Sequence, residues 1–526
     1  MKPPLFEYTS QLHLTMLIAI FGFLVISPGC TKKFDTINTD PTTFSSLPAA
    51  TLPKAFAKAE WEGVYADAGN YEVIHSLYAD LWSQYFADGG GFAGDRYVLN
   101  QDLVIYSWSL TYTVNWPSIK LVIDNTATTN PPANAIAKIW KVYTFHQVSD
   151  LYGPIPYFQA GLGTLTIPYD SQESIYNDFF NTLDSAISVL QNTDTGQKPF
   201  GNDDLIFHGD ITQWLKFANS LRLRLALRIS QVDPTKAQQE AEKAVAAGVM
   251  LANDDNAFVD VSPNSTNGLC DEAPWENMRM STAMESYLKG YNDPRMQQYY
   301  DPAEQDGQYH GLRNGLSPTQ ISTAVIIGGV NKGAVNLSNI NSTRWDVTTD
   351  ATTRLNVMYA AESYFLRAEG ALNGWNMGSS AKDLYGSGIA TSMQQWGISD
   401  NTAIQNYINS TTTPIAPNDF LNSPAVAGIP VQFSSDPAIQ RQQILTQKWL
   451  AIFPDGLEAW AELRRTGYPK LYPVVQVDNP DIIPGDIIRR LTFVAYDYQT
   501  NGKAVQAAIP LLNGPDKVST HVWWNK

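Results

Sequence analysis

Apolar residues recur every three or four positions along much of this chain, the spacing of helices that bury one face. Over 210–229 the series Ile211, Trp214, Phe217, Ala218, Leu221 and Leu225 follows it. Asp210-Ile211-Thr212-Gln213 opens this segment as a capping box, with Asp accepting from first-turn N–H groups and Gln reaching back. Arg222, Arg224 and Arg228 fall toward its C-terminal end, where the helix dipole favours cations. The next helix is delimited by Asp233 as N-cap, Pro234 at the first position and Gly248 beyond the end. Residues 357–373 carry Met358, Ala361, Phe365, Ala368 and Leu372, and a Gly374–Gly378 turn leads to a second helix around 380–396. Residues 437–453 and 457–466 form another pair, opened by Pro437, broken at Pro454-Asp455-Gly456 and closed by Gly467 and Pro469. Helix–turn–helix units of this size predict a mainly α fold, with tetratricopeptide-like pairs in a superhelical scaffold. Between about 250 and 350, at 402–435 and after 473, Asn, Asp, Ser, Thr, Gly and Pro rise and the periodicity is lost. These stretches predict long irregular loops and a few short strands laid over the scaffold, the usual place for binding.

The first residues read differently. Leu14 to Ile26 is an apolar run that ends in Ser27-Pro28-Gly29-Cys30. It is too short for the roughly 20 residues a spanning helix needs, so it predicts a signal peptide. A small residue followed by Cys resembles a bacterial lipoprotein cleavage box, in which the Cys thiol receives lipid. The expected organisation is a signal peptide at 1–29, lipidated Cys30 with a polar tether at 30–46, and a single helical domain at 47–526 with a loop-rich insertion at about 250–350. Later segments stay below 18 unbroken apolar residues.

The net charge of −16 argues against nucleic acid, whose phosphates need a basic face, and against lying flat on anionic lipid. Only 16% of residues are charged while aromatics reach 12%, a composition suited to neutral polar ligands. There are 2 Cys. With Cys30 lipidated, Cys270 has no disulfide partner, and without nearby basic residues it reads as a packed structural thiol.

Tests for chemistry return little. Gly89-Gly90-Gly91-Phe92-Ala93-Gly94 matches G-x-G-x-x-G, but no βαβ unit surrounds it, so it reads as a flexible tip able to close over a ligand. The 6 His are scattered without metal-ligand spacing, so no metal or cofactor is expected. Asp254-Asp255 and Asp271-Glu272 read as turn residues. Glu362 and Glu369 share a helix face, where carboxylates more often bond neighbouring Arg or Tyr than catalyse.

A set of ordered segments resembles the SusD/RagB family of outer-membrane lipoproteins. Phe34-Asp35-Thr36-Ile37-Asn38-Thr39-Asp40-Pro41 is similar to the family's opening, and Ser149-Asp150-Leu151-Tyr152-Gly153-Pro154-Ile155-Pro156-Tyr157 to its D-x-Y-G-x-I-P-Y segment. Tyr169 to Tyr176, Gly209-Asp210 with Trp214 to Arg224, Asp293-Pro294-Arg295 and Ala368-Glu369 follow in order. Gln447 to Ala451 through Glu458-Ala459-Trp460 to Arg464-Arg465-Thr466-Gly467-Tyr468-Pro469 completes the set. The resemblance implies a nutrient-binding lipoprotein on the outer face of the outer membrane, lying over a SusC-like TonB-dependent transporter. Most relatives of this kind bind glycans and some bind peptides. It also implies that Asp150 and Tyr152 fix a turn, and that Trp449, Trp460 and Arg464 lock the last helix pair. Trp460 and Arg464, four apart, can stack. Lys32 and Lys33 stand where family export signals often carry acids.

Sugar binding needs an exposed aromatic plate edged by amide, carboxylate or guanidinium groups. Trp275, near Asp271, Glu272, Glu276 and Asn277, fits this pattern, and so does Trp345 between Arg344 and Asp346. Tyr309 beside His310, and Trp82 and Tyr97 flanking the glycine loop, are further candidates. The expectation is therefore an oligosaccharide-binding protein that is not an enzyme. The alternatives are a peptide ligand, a helical glycoside hydrolase with two convergent carboxylates, or a purely protein-binding scaffold.

Overall fold

The computed structural model describes residues 48, 50–164, 166–328 and 333–526. The expected signal peptide, Cys30 and the expected tether lie outside these residues. Residues Leu52–Lys526 form one compact unit, and it is mainly helical.

The helices that carry the scaffold start where the sequence places capping groups. They are α1 (Thr51–Gly63), α2 (Trp116–Thr126), α3 (Pro131–Tyr152), α4 (Gln172–Gln191), α5 (Ile211–Arg228) and α6 (Pro234–Ala247). After a long irregular stretch come α7 (Ala360–Leu372), α8 (Ala381–Gln395), α9 (Pro437–Ala451) and α10 (Gly456–Thr466). Asn130, Ser171, Asp233 and Ser380 each accept a first-turn N–H at the start of α3, α4, α6 and α8. Neighbours in sequence pack on one another: α2 on α3, α3 on α4, α5 on α6, α7 on α8. α4 also packs on α5, α5 on α7, and α7 on α9, which closes the pairs around a shared core. α3 is buried along nearly its whole length, and the Trp140 indole on it donates to the Ala59 carbonyl of α1 at 2.8 Å.

Some local expectations change. Asp210 does cap α5, accepting from Thr212 and Gln213 N–H at 2.9 and 3.1 Å. Gln213 does not reach back. Its amide donates to the Asp254 carbonyl at 2.8 Å, tying the helix to the turn at Asn253–Asp255. Arg224 and Arg228 do not serve the helix dipole; they are buried in ion pairs with Glu362 and Glu458. Asp150 and Tyr152 do more than fix a turn. Gly153, with φ of +84°, makes the turn, while Asp150 accepts from Tyr176 Oη and Trp524 Nε1. Tyr152 Oη donates to the Val104 carbonyl at 3.0 Å. Both residues therefore pin the end of α3 to segments distant in sequence.

Among the described residues four short strands form two antiparallel pairs: β1 (Phe86–Asp88) with β3 (Met278–Met280), and β2 (Ala257–Val259) with β4 (Leu355–Met358). Before β1 the chain runs through an eight-residue π-helical stretch, Glu72–Ala79. This stretch packs against α10 and against the one-turn helix Gly268–Glu272. Among the described residues no helix is long and apolar enough to cross a membrane.

Candidate ligand-binding cleft

β1 and β3 decide where the polar–aromatic loops meet. Their register pairs Asp88 with Met278, and the ladder continues one step as Gly89 N–H donates to the Asn277 carbonyl at 2.8 Å. The glycine loop after β1 and the Trp275–Asn277 corner before β3 are thereby held at one end of one ribbon. Glu276 sits at that corner in the left-handed region, with φ of +57°. Its carboxylate accepts from Arg279 at 2.6 Å and from Gly333 N–H at 2.8 Å.

Trp275 stands at this corner with 46% of its surface exposed. It borders a shallow cleft lined on the polar side by Glu72, Ser76, Glu272, Glu276, Asn277 and Asn339. Leu77, Phe86, Leu269, Ala273 and Ile340 supply the apolar side. An exposed indole beside amides and carboxylates is the arrangement that grips a sugar ring through its C–H face and its hydroxyl fringe.

The glycine loop is not a mobile lid. Asp88 accepts from Gly90 and Gly91 N–H at 2.8 Å and from Ala93 N–H at 2.5 Å, so three backbone donors close on one carboxylate. Asp95, in the same turn, accepts from Gly315 N–H at 2.9 Å. Burial, and then the neighbouring Asp88 carboxylate, push the Asp95 carboxyl up to about 7. Gly94 has to be glycine, because a Cβ there would stand 1.8 Å from the Leu77 carbonyl oxygen. The pinned loop presents Phe92, 50% exposed, on the same end of the ribbon as Trp275. Sequence reasoning named the rings flanking this loop and missed the one within it. The available signal was an aromatic residue inside a Gly/Ala run, with no helical partner three or four positions away.

The remaining sequence candidates fall elsewhere. Trp345 is 3% exposed and packs between Trp396 and Phe453, with ring centroids 5.5 and 5.7 Å away. It therefore has no free face. Arg344 lies 5.1 Å over the Trp396 ring and bonds Gln298, half-buried as a cover on that aromatic cluster. Trp82 is buried, donating to the Gly94 carbonyl at 3.1 Å and packing 4.6 Å from Trp460. Tyr97 is buried as well, in a left-handed turn. Tyr309 is half-buried, with its carbonyl held by Lys289 Nζ at 2.9 Å, and it does not line the cleft. The irregular segments thus carry a core of their own, so a ring on a loop is not thereby a ring at the surface.

Glu362 and Glu369 are consumed by structure. Glu362 takes Arg224 in a two-pronged pair at 2.9 and 2.5 Å, and Glu369 takes Arg465 at 2.8 and 2.7 Å. Lys448 lies 3.4, 3.2 and 3.3 Å from Glu362, Glu458 and Glu462. Burial opposes ionisation of Glu458, but Arg228, Arg224 and Lys448 hold its carboxyl down at about 2. Cys270 is buried, and burial followed by the Asp271 and Asp350 charges pushes its thiol up to about 12. Among the described residues no group of three or more His, Cys, Asp or Glu stands together as a metal site.

A profile described as "SusD-like: Susd and RagB outer membrane lipoprotein" matches residues 50–525. The chain belongs to the SusD-like family. Solved relatives agree across nearly the whole SusD-like unit. A chitin-binding SusD homolog from Flavobacterium johnsoniae is 36% identical, with 90% of this chain and 99% of that one covered and a TM-score of 0.83. A SusD-like protein from Bacteroides thetaiotaomicron is 32% identical, covering 90% and 98%, with a TM-score of 0.80. A SusD homolog from Bacteroides uniformis is 30% identical, covering 91% and 100%, with a TM-score of 0.81. No curated protein sequence matches the chain. The segments by which the sequence resembled this family serve packing in the structure. Arg464 lies 3.5 Å over the Trp460 ring and donates to the Asp150 carbonyl at 2.7 Å, and Trp449 donates to Ser83.

Proposed function

We propose that this SusD-like chain captures an oligosaccharide at the Trp275 cleft and passes it unaltered to a SusC-like TonB-dependent transporter, while anchored through lipidated Cys30 on the outer face of the outer membrane. The observation that supports this reading is the half-exposed Trp275 indole on a cleft that Asn277, Asn339, Glu272 and Glu276 also line, with exposed Phe92 in the loop at the same end of the ribbon. Each piece has a part to play. The indole stacks on a sugar face, and the planar amides and carboxylates meet the equatorial hydroxyls. The Asp88-tied loop keeps Phe92 in place before ligand arrives, so little ordering cost falls on binding. The chitin-binding Flavobacterium johnsoniae relative makes β-linked N-acetylglucosamine oligomers the first ligands to test. A peptide ligand is the competing reading of the same family.

The test is calorimetric titration of the mature chain with a panel of β-linked oligosaccharides and short peptides. Saccharide binding that disappears in Trp275→Ala supports the proposal. Binding of peptides alone, or release of shorter sugars during incubation, would sink it.

A further inference from the structure

A second recess lies behind the ribbon that carries the Trp275 cleft. Side chains alternate between the two faces of a strand. Phe86 of β1 lines the Trp275 cleft, while Ala87 packs on the other side with Leu312, Leu316 and Leu337. Those three leucines floor a groove whose rim carries Gln305, Asn418 and Phe420. The groove and the cleft share no lining residue. The groove holds about 210 Å³ of free space, where a single water needs only about 10–15 Å³.

Phe420 is 44% exposed, and among the described residues no ring stacks on it. The turn that presents it is closed by its neighbour. Asp419 accepts from Ser423 N–H at 2.7 Å and from Ser423 Oγ at 2.6 Å, and Arg313 donates to the same hydroxyl. Arg313 is fixed in turn, donating to the Pro473 carbonyl at 2.9 Å and lying 4.5 Å from the centre of the Tyr472 ring. The aromatic face therefore stands in place before a ligand arrives.

The charges on the lining are already matched. Arg313 faces Asp419 at 3.8 Å, and His310 is paired with Asp306 at 2.9 Å. The Gln305 and Asn418 side-chain amides are exposed and, among the described residues, have no hydrogen-bond partner. What remains on offer is a bare ring, two neutral amides and an apolar floor. With no lining charge left for a carboxylate or an ammonium, the fit is to an uncharged hydroxylated ring with an apolar face.

We infer that this groove is a second, weaker saccharide site, at which Phe420 stacks on a sugar ring and the Gln305 and Asn418 amides meet its hydroxyls, so that one polymer chain can hold the protein at two points. The ligand class rests on the glycan reading above; the place does not. Weaker binding follows from a phenyl ring, which offers a smaller face than an indole. The two sites are within reach of one glycan. Asn336 and Leu337 line the groove, Asn339 and Ile340 line the cleft, and three residues of chain span at most about 11 Å.

The experiment pairs a short probe with a long one. The N-acetylglucosamine trimer is titrated by calorimetry, and glycol chitin, a soluble polymer of the same sugar, is set in an affinity gel. Phe420→Ala keeps the wild-type affinity for the first trimer bound, but the polymer holds it about tenfold or more weakly, because linking two sites multiplies affinity. The Gln305→Ala/Asn418→Ala double variant, altered only at exposed positions, does the same, and both keep the wild-type urea midpoint. Trp275→Ala loses the tighter trimer and still takes one at higher concentration, and adding Phe420→Ala abolishes that one too. Polymer binding unchanged in Phe420→Ala and in the double variant, or a Trp275→Ala chain that takes no trimer at any concentration, overturns the second site and leaves the Trp275 cleft standing. Trimer binding that is untouched in Trp275→Ala and lost in Phe420→Ala keeps this groove and removes the cleft. A wild-type chain that binds neither probe removes both.

Discussion

Two tryptophans with the same local look in the sequence end up in opposite places. Trp275 and Trp345 both sit in irregular segments among charged residues, yet one is 46% exposed and the other 3%. The difference comes from residues far along the chain. Trp396 and Phe453 arrive from just beyond the ends of α8 and α9 to cover Trp345, and among the described residues no such ring stacks on Trp275. Pattern alone could not separate them, because burial of a loop ring is decided by tertiary contacts. Their variants should behave oppositely. Trp275→Ala should leave the denaturant midpoint unchanged and weaken sugar binding about tenfold or more, in line with loss of an interface aromatic. Trp345→Ala should lower stability by about 3–5 kcal/mol, as expected for emptying a buried indole site. Unfolding in urea, beside ligand titration, checks both, and a stable Trp345→Ala protein would contradict the burial described here.

At the level of helices and strands, most of the architecture was legible. Period-3.6 patterning and the capping residues located α5 to α10 to within a few positions, because both signals are local. The Asp233 cap is a fair test: Asp233→Ala should cost about 1 kcal/mol, measurable as a small fall in thermal midpoint. What could not be read was the pairing of β1 with β3. Each is three residues long, and the two lie in segments far apart along the chain, so no local pattern joins them. The glycine loop was legible as a turn but not as a pinned one, since nothing local shows that Asp88 gathers three N–H groups. Asp95 gives that loop a pH dependence. Its folded carboxyl titrates near 7 against an ordinary 3.8, so the fold favours the protonated form. The stability this contributes is complete below the ordinary value and is lost as pH rises through about 7. Asp95→Asn should therefore gain stability relative to wild type on going from pH 5 to pH 8, by thermal melting at the two values. The reverse trend would refute the assignment.

Across the whole molecule, the low charge content of the sequence hides how its charges are spent. Arg224, Arg228, Lys448 and Arg465 interlock with Glu362, Glu369, Glu458 and Glu462 in the interior, joining α5, α7, α9 and α10. Removing one member strands the others. Glu458→Gln should destabilise by about 3–5 kcal/mol, the usual result of breaking a buried pair from one side. Replacing the set together with apolar residues would be far milder. Several of the family-like segments supply this interior, so the sequence could announce the scaffold while staying silent about the ligand.

The wall of the cleft that holds Ser76 and Leu77 is the π-helical stretch Glu72–Ala79. A wide turn of this kind differs from an ordinary helix by a single surplus residue. Losing one codon there would let the stretch tighten toward α-helical winding and change which of its side chains face the cleft, while both ends stay docked. A one-residue slip would thus re-line the cleft with the rest of the scaffold untouched.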